Sequence, residues 1–244
     1  MTSQSIMEEY ADIFEQKVGC IPNFYCFLKL KKNAKPIFIK ARDIPFALRE
    51  TVEKELDDLI ANDIIYPVDH SDWGSPLVPI PKPDNKVRLA VDYKVAVNKQ
   101  LQDALYPIPL IGGVINNLRN ASVFCTLDLY KAYLHVQFDK DSQAIQTMST
   151  HRGIFAMKRL SFGIKSAPSE FHRILDQILS GLKGVTAYFD DVIVYGSNQD
   201  ECFLNLINCL NRLHQYDILM IYIRLLQAES SIGGGEKQSL PSII

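Results

Sequence analysis

The sequence predicts an α+β fold in which an antiparallel sheet is backed by helices. Three observations lead there. Short apolar strands flank "FDD" at 189–191 as a hairpin. The stretch "DWGSPLVPIPKPDNKVRLAVDYK" is proline-rich and then alternates, like extended strands joined at "PDN". Three other segments carry helical periodicity, so strands are joined by hairpins in some places and by helices in others.

In chain order, "IPFALRETVEKELDDLIANDII" sets Leu48, Val52, Leu56, Leu59 and Ile60 at helical spacing, with Pro45 near the start. Its acids, in "ETVEKELDD" at 50–58, read as a solvated face. "SVFCTLDLY" is a strand: Val123, Cys125, Leu127 and Leu129 point one way, and Phe124, Thr126 and Asp128 the other. "SAPSEFHRILDQILSGL" is an amphipathic helix with Pro168 in its first turn and a stripe of Phe171, Ile174, Leu175, Ile178, Leu179 and Leu182. "ECFLNLINCLNRLHQY" is another, with Phe203, Leu206, Ile207, Leu210 and Leu213 inward. "SSIGGGEKQSLPSII" has no periodicity and reads as a loose tail.

The 244 residues are 47% hydrophobic and 22% charged, a globular composition with enough chain for a sizeable core. No run reaches the ~20 apolar residues that span a bilayer. The N-terminus lacks an apolar signal core, and five scattered cysteines form no CxxC pair. An intracellular protein, cytoplasmic or nuclear, with no membrane partner is expected. The net charge of −2 argues against a uniformly basic nucleic-acid binder. Yet Lys29, Lys31, Lys32, Lys35, Lys40 and Arg42 follow one another with no acid among them, and Lys82, Lys86, Arg88 and Lys94 form a second group. Such groups are ordinarily solvated faces.

The chemistry lies in three carboxylates. Asp190 and Asp191 are adjacent, with no Lys or Arg within six residues on either side. Asp128 sits mid-strand between leucines. A lone strand Asp ordinarily faces solvent, and "DD" is ordinary in a turn. Together, a hairpin tip and a neighbouring strand presenting acids make a cluster that two divalent cations could neutralise. Two metal ions ~4 Å apart serve in-line phosphoryl transfer. Mg²⁺ takes oxygen ligands and leaves positions for substrate phosphates.

At these residues a family resemblance enters. "YFDD" (188–191) resembles the YxDD box of reverse transcriptases, and "FCTLDLYKAY" (124–133) their first aspartate motif. "RLSFGIKSAPSEFHRILDQIL" is similar to their "LPFGxxxAPxxFQ" box, and "KVRLAVDYKVAVNK" to the fingers motif with its nucleotide-binding Arg. Upstream, "KARDIPFALRETVEKELDDLIANDIIYPV" and "DWGSPLVPIPKPD" resemble gypsy-type long-terminal-repeat retrotransposon Pol polyproteins.

The resemblance implies a right-hand polymerase with fingers and palm. It implies an N-terminal extension at 1–28, mainly fingers at 29–120, mainly palm at 121–217 and a divergent tail at 218–244. It implies that Asp128, Asp190 and Asp191 are the catalytic, metal-binding triad. Lys82 and Arg88 would bind the triphosphate, Tyr133 would be the steric gate against a 2′-hydroxyl, and Phe162 and Gly163 would lie near the incoming nucleotide. Tyr188 would lie by the primer end. The implied cofactors are two Mg²⁺ ions, with Mn²⁺ as a substitute. The implied partners are an RNA or DNA template with its primer, dNTPs and other Pol segments.

Ser161 stands where the family usually has proline, Tyr130 where a small residue is usual, and His172 where glutamine is usual. After "NRLHQYDI" the primer-grip and thumb pattern is not matched, so a chain truncated at the C-terminus is expected. The reading is RNA-directed DNA polymerase. The alternative is a catalytically silent retrotransposon remnant that folds and binds nucleic acid. An RNA-dependent RNA polymerase fits less well, because of Tyr133 and the YxDD box.

Overall fold

The computed structural model describes residue 6 and residues 8–83, 86–104, 106–227 and 242–243. Its strands are β1 (Tyr25–Cys26), β2 (Ile65–Val68), β3 (Ser75–Pro81), β4 (Val87–Val91), β5 (Val123–Leu129) and β6 (Gln137–Phe138), then β7 (Thr147–Thr150), β8 (Gly153–Met157), β9 (Val185–Tyr188), β10 (Asp191–Gly196), β11 (Met220–Gln227) and β12 (Ser242–Ile243). The longer helices are Phe46–Ala61, Ala167–Leu179 and Gln199–Gln215. Among the described residues no helix is long and apolar enough to cross a membrane.

The chain forms two compact units, each assembled from separated segments. The first comprises 1–22, 106–132 and 171–244, and the second 23–105 and 133–170. The sequence reading drew contiguous segments instead; 133–170, there counted with the palm segment, joins the second unit.

The first unit is built on an antiparallel sheet ordered β12-β11-β5-β10-β9. Its central strand, β5, alternates as its sequence predicts: Val123, Cys125, Leu127 and Leu129 are buried, and the residues between them are half-buried. Helix Gln199–Gln215 packs on β10 and β5. Asn198 caps it by accepting from the Glu201 amide at 2.9 Å. Acids Asp200 and Glu201 occupy its first turn, and Arg212 and His214 its last, matching the helix dipole. Its buried face holds Leu206, Leu210 and Leu213 as expected. It also holds Cys202, Asn205 and Cys209, whereas Phe203 and Ile207 are only half-buried. The face is rotated because the small thiols fit against the sheet: Cys202 Sγ lies 3.8 Å from Cys125 Sγ. The tail expectation for 230–244 falls largely outside the described residues. Before it, "MIYIRLLQ" forms a strand, β11, along β5, with a register shift between Met220 and Tyr222.

The second unit contains a sheet ordered β2-β8-β7-β3-β4, antiparallel except for β3 beside β7. Helix Phe46–Ala61 buries Val52 and Leu56 fully. Its acidic face is not merely solvated: Arg152 pairs with Asp57 at 2.6 Å, and His151 with Glu53 at 3.2 Å. "TMST" at β7 is buried at every position, as a strand covered on both faces must be, so it has no alternation to detect.

Gly184, which opens the β9–β10 hairpin, is needed as glycine. It has φ +61°, and a Cβ there would lie 2.4 Å from the Tyr195 carbonyl oxygen and 2.1 Å from Asn205 Nδ2. Gly184→Ala is expected to destabilise the fold by about 2–3 kcal/mol through strain and overpacking. Urea unfolding, read by the transition midpoint, checks this.

Candidate active site

The site begins with strand register. β9 and β10 pair Tyr188 with Asp191, leaving Phe189 and Asp190 as a two-residue connection. Asp191 therefore opens β10 rather than sitting at the tip as the sequence reading placed it. Two-residue hairpins favour left-handed φ at the turn, normally supplied by Gly, Asn or Asp. Here Phe189 supplies it, with φ 53°. A bulky residue in that region is strained by roughly 1–3 kcal/mol, a type of cost that clusters at functional sites. The Phe189 ring stands edge-on to Tyr188, centroids 4.8 Å apart at 81°.

β10 also pairs with β5, and this register sets Asp191 directly opposite Asp128. On the other side of β5, Tyr222 of β11 is opposite Asp128. Directly opposed residues share a face. One lateral row thus runs Tyr222, Asp128, Asp191, Tyr188 across four strands, with Asp190 at the adjoining turn. Tyr222 was missed by sequence reasoning, since only the register reveals it.

The carboxylates sense each other. Desolvation first, then the negative charges of Asp128 and Asp190, push the Asp191 pKa above its ordinary value, although the residue as a whole is exposed. One oxygen of Asp190, Oδ1, is buried. Among the described residues, no three His, Cys, Asp or Glu side chains already close around a metal-sized point. The donor chemistry nevertheless fits a hard divalent cation: strand register brings together three carboxylates, and the charges of Asp128 and Asp190 act on Asp191.

The remaining predicted residues lie in the second unit. The β3–β4 register places Ile80 opposite Arg88, and the Lys82 amide donates to the Lys86 carbonyl at 2.8 Å. Lys82, Lys86 and Arg88 therefore share one face of the hairpin, and all are exposed. Asp84 and Asn85 of the predicted turn lie outside the described residues. Tyr133 is buried and stacks obliquely on half-exposed Phe162, centroids 4.4 Å apart. Gly163 has φ +92°, with the Val91 carbonyl 3.3 Å from where a Cβ would stand. Asn98 clamps this turn: its Nδ2 donates to the Gly163 carbonyl at 2.7 Å, and its Oδ1 accepts from the Lys165 amide at 2.9 Å. Asn98 was also missed; its sequence carries no signal of that role.

The unusual residues have distinct settings. Ser161 is buried, with Oγ 3.3 Å from the Phe162 carbonyl. His172 is buried beside the Asp176 carboxylate at 3.4 Å, which also accepts from Tyr106 at 2.7 Å. Tyr130 is half-buried next to β5 and donates its amide to the Leu219 carbonyl at 2.9 Å.

Residues 80–220 match the family model described as "Reverse transcriptase (RNA-dependent DNA polymerase)". The chain belongs to this reverse transcriptase family. It is 33% identical over 213 residues to an uncharacterized protein of Caenorhabditis elegans, covering 86% of this chain and 17% of that protein. It is 30% identical to the retrovirus-related Pol polyprotein from transposon 412 of Drosophila melanogaster, covering 88% of this chain and 18% of the polyprotein. The chain thus spans less than a fifth of the length of these relatives. Among solved structures, it resembles the foamy viral protease-reverse transcriptase in complex with RNA/DNA hybrid. The TM-score is 0.80 at 20% identity, covering 90% of this chain and 31% of that one. The α+β architecture is that of a reverse transcriptase's fingers and palm, and gypsy-type Pol kinship is consistent with these relatives.

The Asp191 shift has a stability consequence. Its folded-state pKa is raised, so above that pKa the ionised carboxylate weakens the fold relative to the unfolded chain. The penalty disappears as the pH falls through the folded-state pKa. Asp191→Asn should therefore raise the melting temperature at neutral pH in chelator-treated buffer. The gain should vanish below the ordinary carboxylate range, which calorimetry across pH reads directly.

Proposed function

We propose that this chain provides fingers and palm for an RNA-directed DNA polymerase that adds dNTPs to a primer 3′-hydroxyl on an RNA or DNA template. The observation that carries the reading is the row holding Asp128 opposite Asp191, with Asp190 at the adjoining turn. The first unit acts as palm and the second as fingers.

Asp128, Asp190 and Asp191 would hold two Mg²⁺ ions, or Mn²⁺, whose charge assists attack by the primer hydroxyl and departure of pyrophosphate. Their mutual repulsion primes them for a cation, and the rigid sheet keeps them from spreading apart. Lys82 and Arg88 carry positive charge to the triphosphate, with Lys86 on the same face. Arg88 supplies a planar fork suited to phosphate oxygens. Tyr133, braced by Phe162, is the gate against a 2′-hydroxyl. Gly163 lets the turn near the nucleotide adopt φ +92°, a conformation that L side chains rarely take. Tyr188, at the end of the aspartate row, supports the primer end. Other Pol segments are partners for processive synthesis.

Primer extension on an RNA template, with Mg²⁺, tests the proposal. The parent chain should incorporate dNTPs, and Asp190→Asn should lose at least about a hundredfold, the scale of removing one charge-stabilising group. Equal incorporation by both proteins would sink the assignment. Template binding without synthesis by the parent would favour a silent nucleic-acid-binding remnant instead.

Tyr133→Ala should raise rNTP incorporation relative to dNTP by roughly tenfold or more, because the gate discriminates by excluding a hydroxyl. Single-nucleotide insertion with each substrate class measures it.

A further inference from the structure

Residues 23–42 of the second unit form a strap tied down mainly through its backbone. β1 pairs in parallel with β6, Tyr25 beside Gln137 and Cys26 beside Phe138. The Leu28 amide donates to Ser142 Oγ at 2.8 Å. The Lys31 amide donates to the Gln100 carbonyl, and the Gln102 amide to the Lys29 carbonyl, both at 2.8 Å. Further along, Ser149 Oγ donates to the Ile39 carbonyl at 2.7 Å.

This anchoring fixes which side chains face out. Cys26 is 0% and Leu28 8% exposed, whereas Tyr25 is 48% and Phe27 58% exposed, and Lys29 is exposed beyond them. The period of two puts Tyr25, Phe27 and Lys29 on one outer face. Neighbours on that face are ~6.6 Å apart. Lys31, Lys32, Lys35 and Lys40 are exposed as well, and residues 23–42 include no acid. None of these five lysines has an ion-pair partner among the described residues. Two acids on flanking segments are paired elsewhere, Asp92 with Arg42 and Asp103 with Lys165, and Lys31 Nζ donates to the Lys99 carbonyl at 2.8 Å.

Two aromatic rings held outward beside unpaired lysines have a specific complement. A purely apolar protein partner would leave the lysines uncompensated. A duplex or an anionic membrane would satisfy the charges but would give the rings no bases to stack on. An unstacked polynucleotide satisfies both, with bases on the rings and phosphates at the lysines. We propose that the Tyr25–Lys35 part of this strap is a docking surface for single-stranded nucleic acid. Its role, holding an unpaired stretch of template, rests on the polymerase reading; the binding itself does not.

The test is fluorescence anisotropy of the full chain with short labelled oligothymidylate, the same sequence as a duplex, and anionic vesicles as competitor. Tyr25→Leu with Phe27→Leu keeps apolar bulk and removes the stacking faces. It should weaken single-strand binding by roughly tenfold or more and leave duplex binding unchanged. Lys29→Ala, Lys32→Ala and Lys35→Ala together should reduce the salt slope for the single strand by about 2, at ~0.7 per lost phosphate contact. Unchanged single-strand affinity in the leucine pair, equal loss on duplex, or vesicles displacing oligothymidylate from this strap alone would overturn the proposal. Should the leucine pair melt early, the lysine set decides: an unchanged salt slope overturns it. Asp190→Asn should bind oligothymidylate like the parent, so failure of synthesis and failure of this surface read out separately.

Discussion

The pairing of β10 with β5 is the constraint on which the candidate chemistry depends. It sets two carboxylates opposite each other on one face, an arrangement that costs stability in a sheet. The fold tolerates it because the alternate positions of the same strands are committed to the core. Leu127 and Val192 are fully buried behind the acids. A slip of one residue would turn these apolar side chains out and the aspartates in. The hydrophobic side of the sheet thus enforces an unfavourable arrangement on its other side. The strained Phe189 turn adds to the same account: local cost at the tip, met by packing elsewhere.

The two sets of candidate residues rest on different kinds of support. The aspartates are fixed by strand register. The residues proposed to face the nucleotide depend on turns, namely the β3–β4 hairpin and the Asn98-clamped turn at Gly163. Phe162 and Gly163 are thereby held by one side-chain amide that bonds on both sides of the turn. That is economical, but it makes the segment sensitive to a single residue.

Much of this was legible in the sequence, for physical reasons. Strand β5 announces itself by alternation, and helix Ala167–Leu179 by a clean apolar stripe. The aspartates stand out because charge in an apolar run needs explaining. What escaped reading had no local signal. β7 is buried on both faces and shows no period. The face of helix Gln199–Gln215 turned toward its cysteines, which hydrophobic pattern-matching undercounts. β11 lay in a stretch that departs from the family pattern, yet its β-branched and aromatic residues suffice for a strand beside β5. Tyr222 and Asn98 gain their places only through register and tertiary contact. The family boxes located the motifs, but they could not reveal that the units interleave along the chain.

That interleaving bears on synthesis. The second unit has all its residues once position 170 is made, whereas the first must wait for strands that come later. β5, the centre of the first unit's sheet, is translated some sixty residues before β10 and about ninety before β11 can flank it. Until then its buried side, Val123, Cys125, Leu127 and Leu129, has no sheet to complete, and both its edges are open. The strand that carries Asp128 thus waits during synthesis with both edges open to intermolecular pairing.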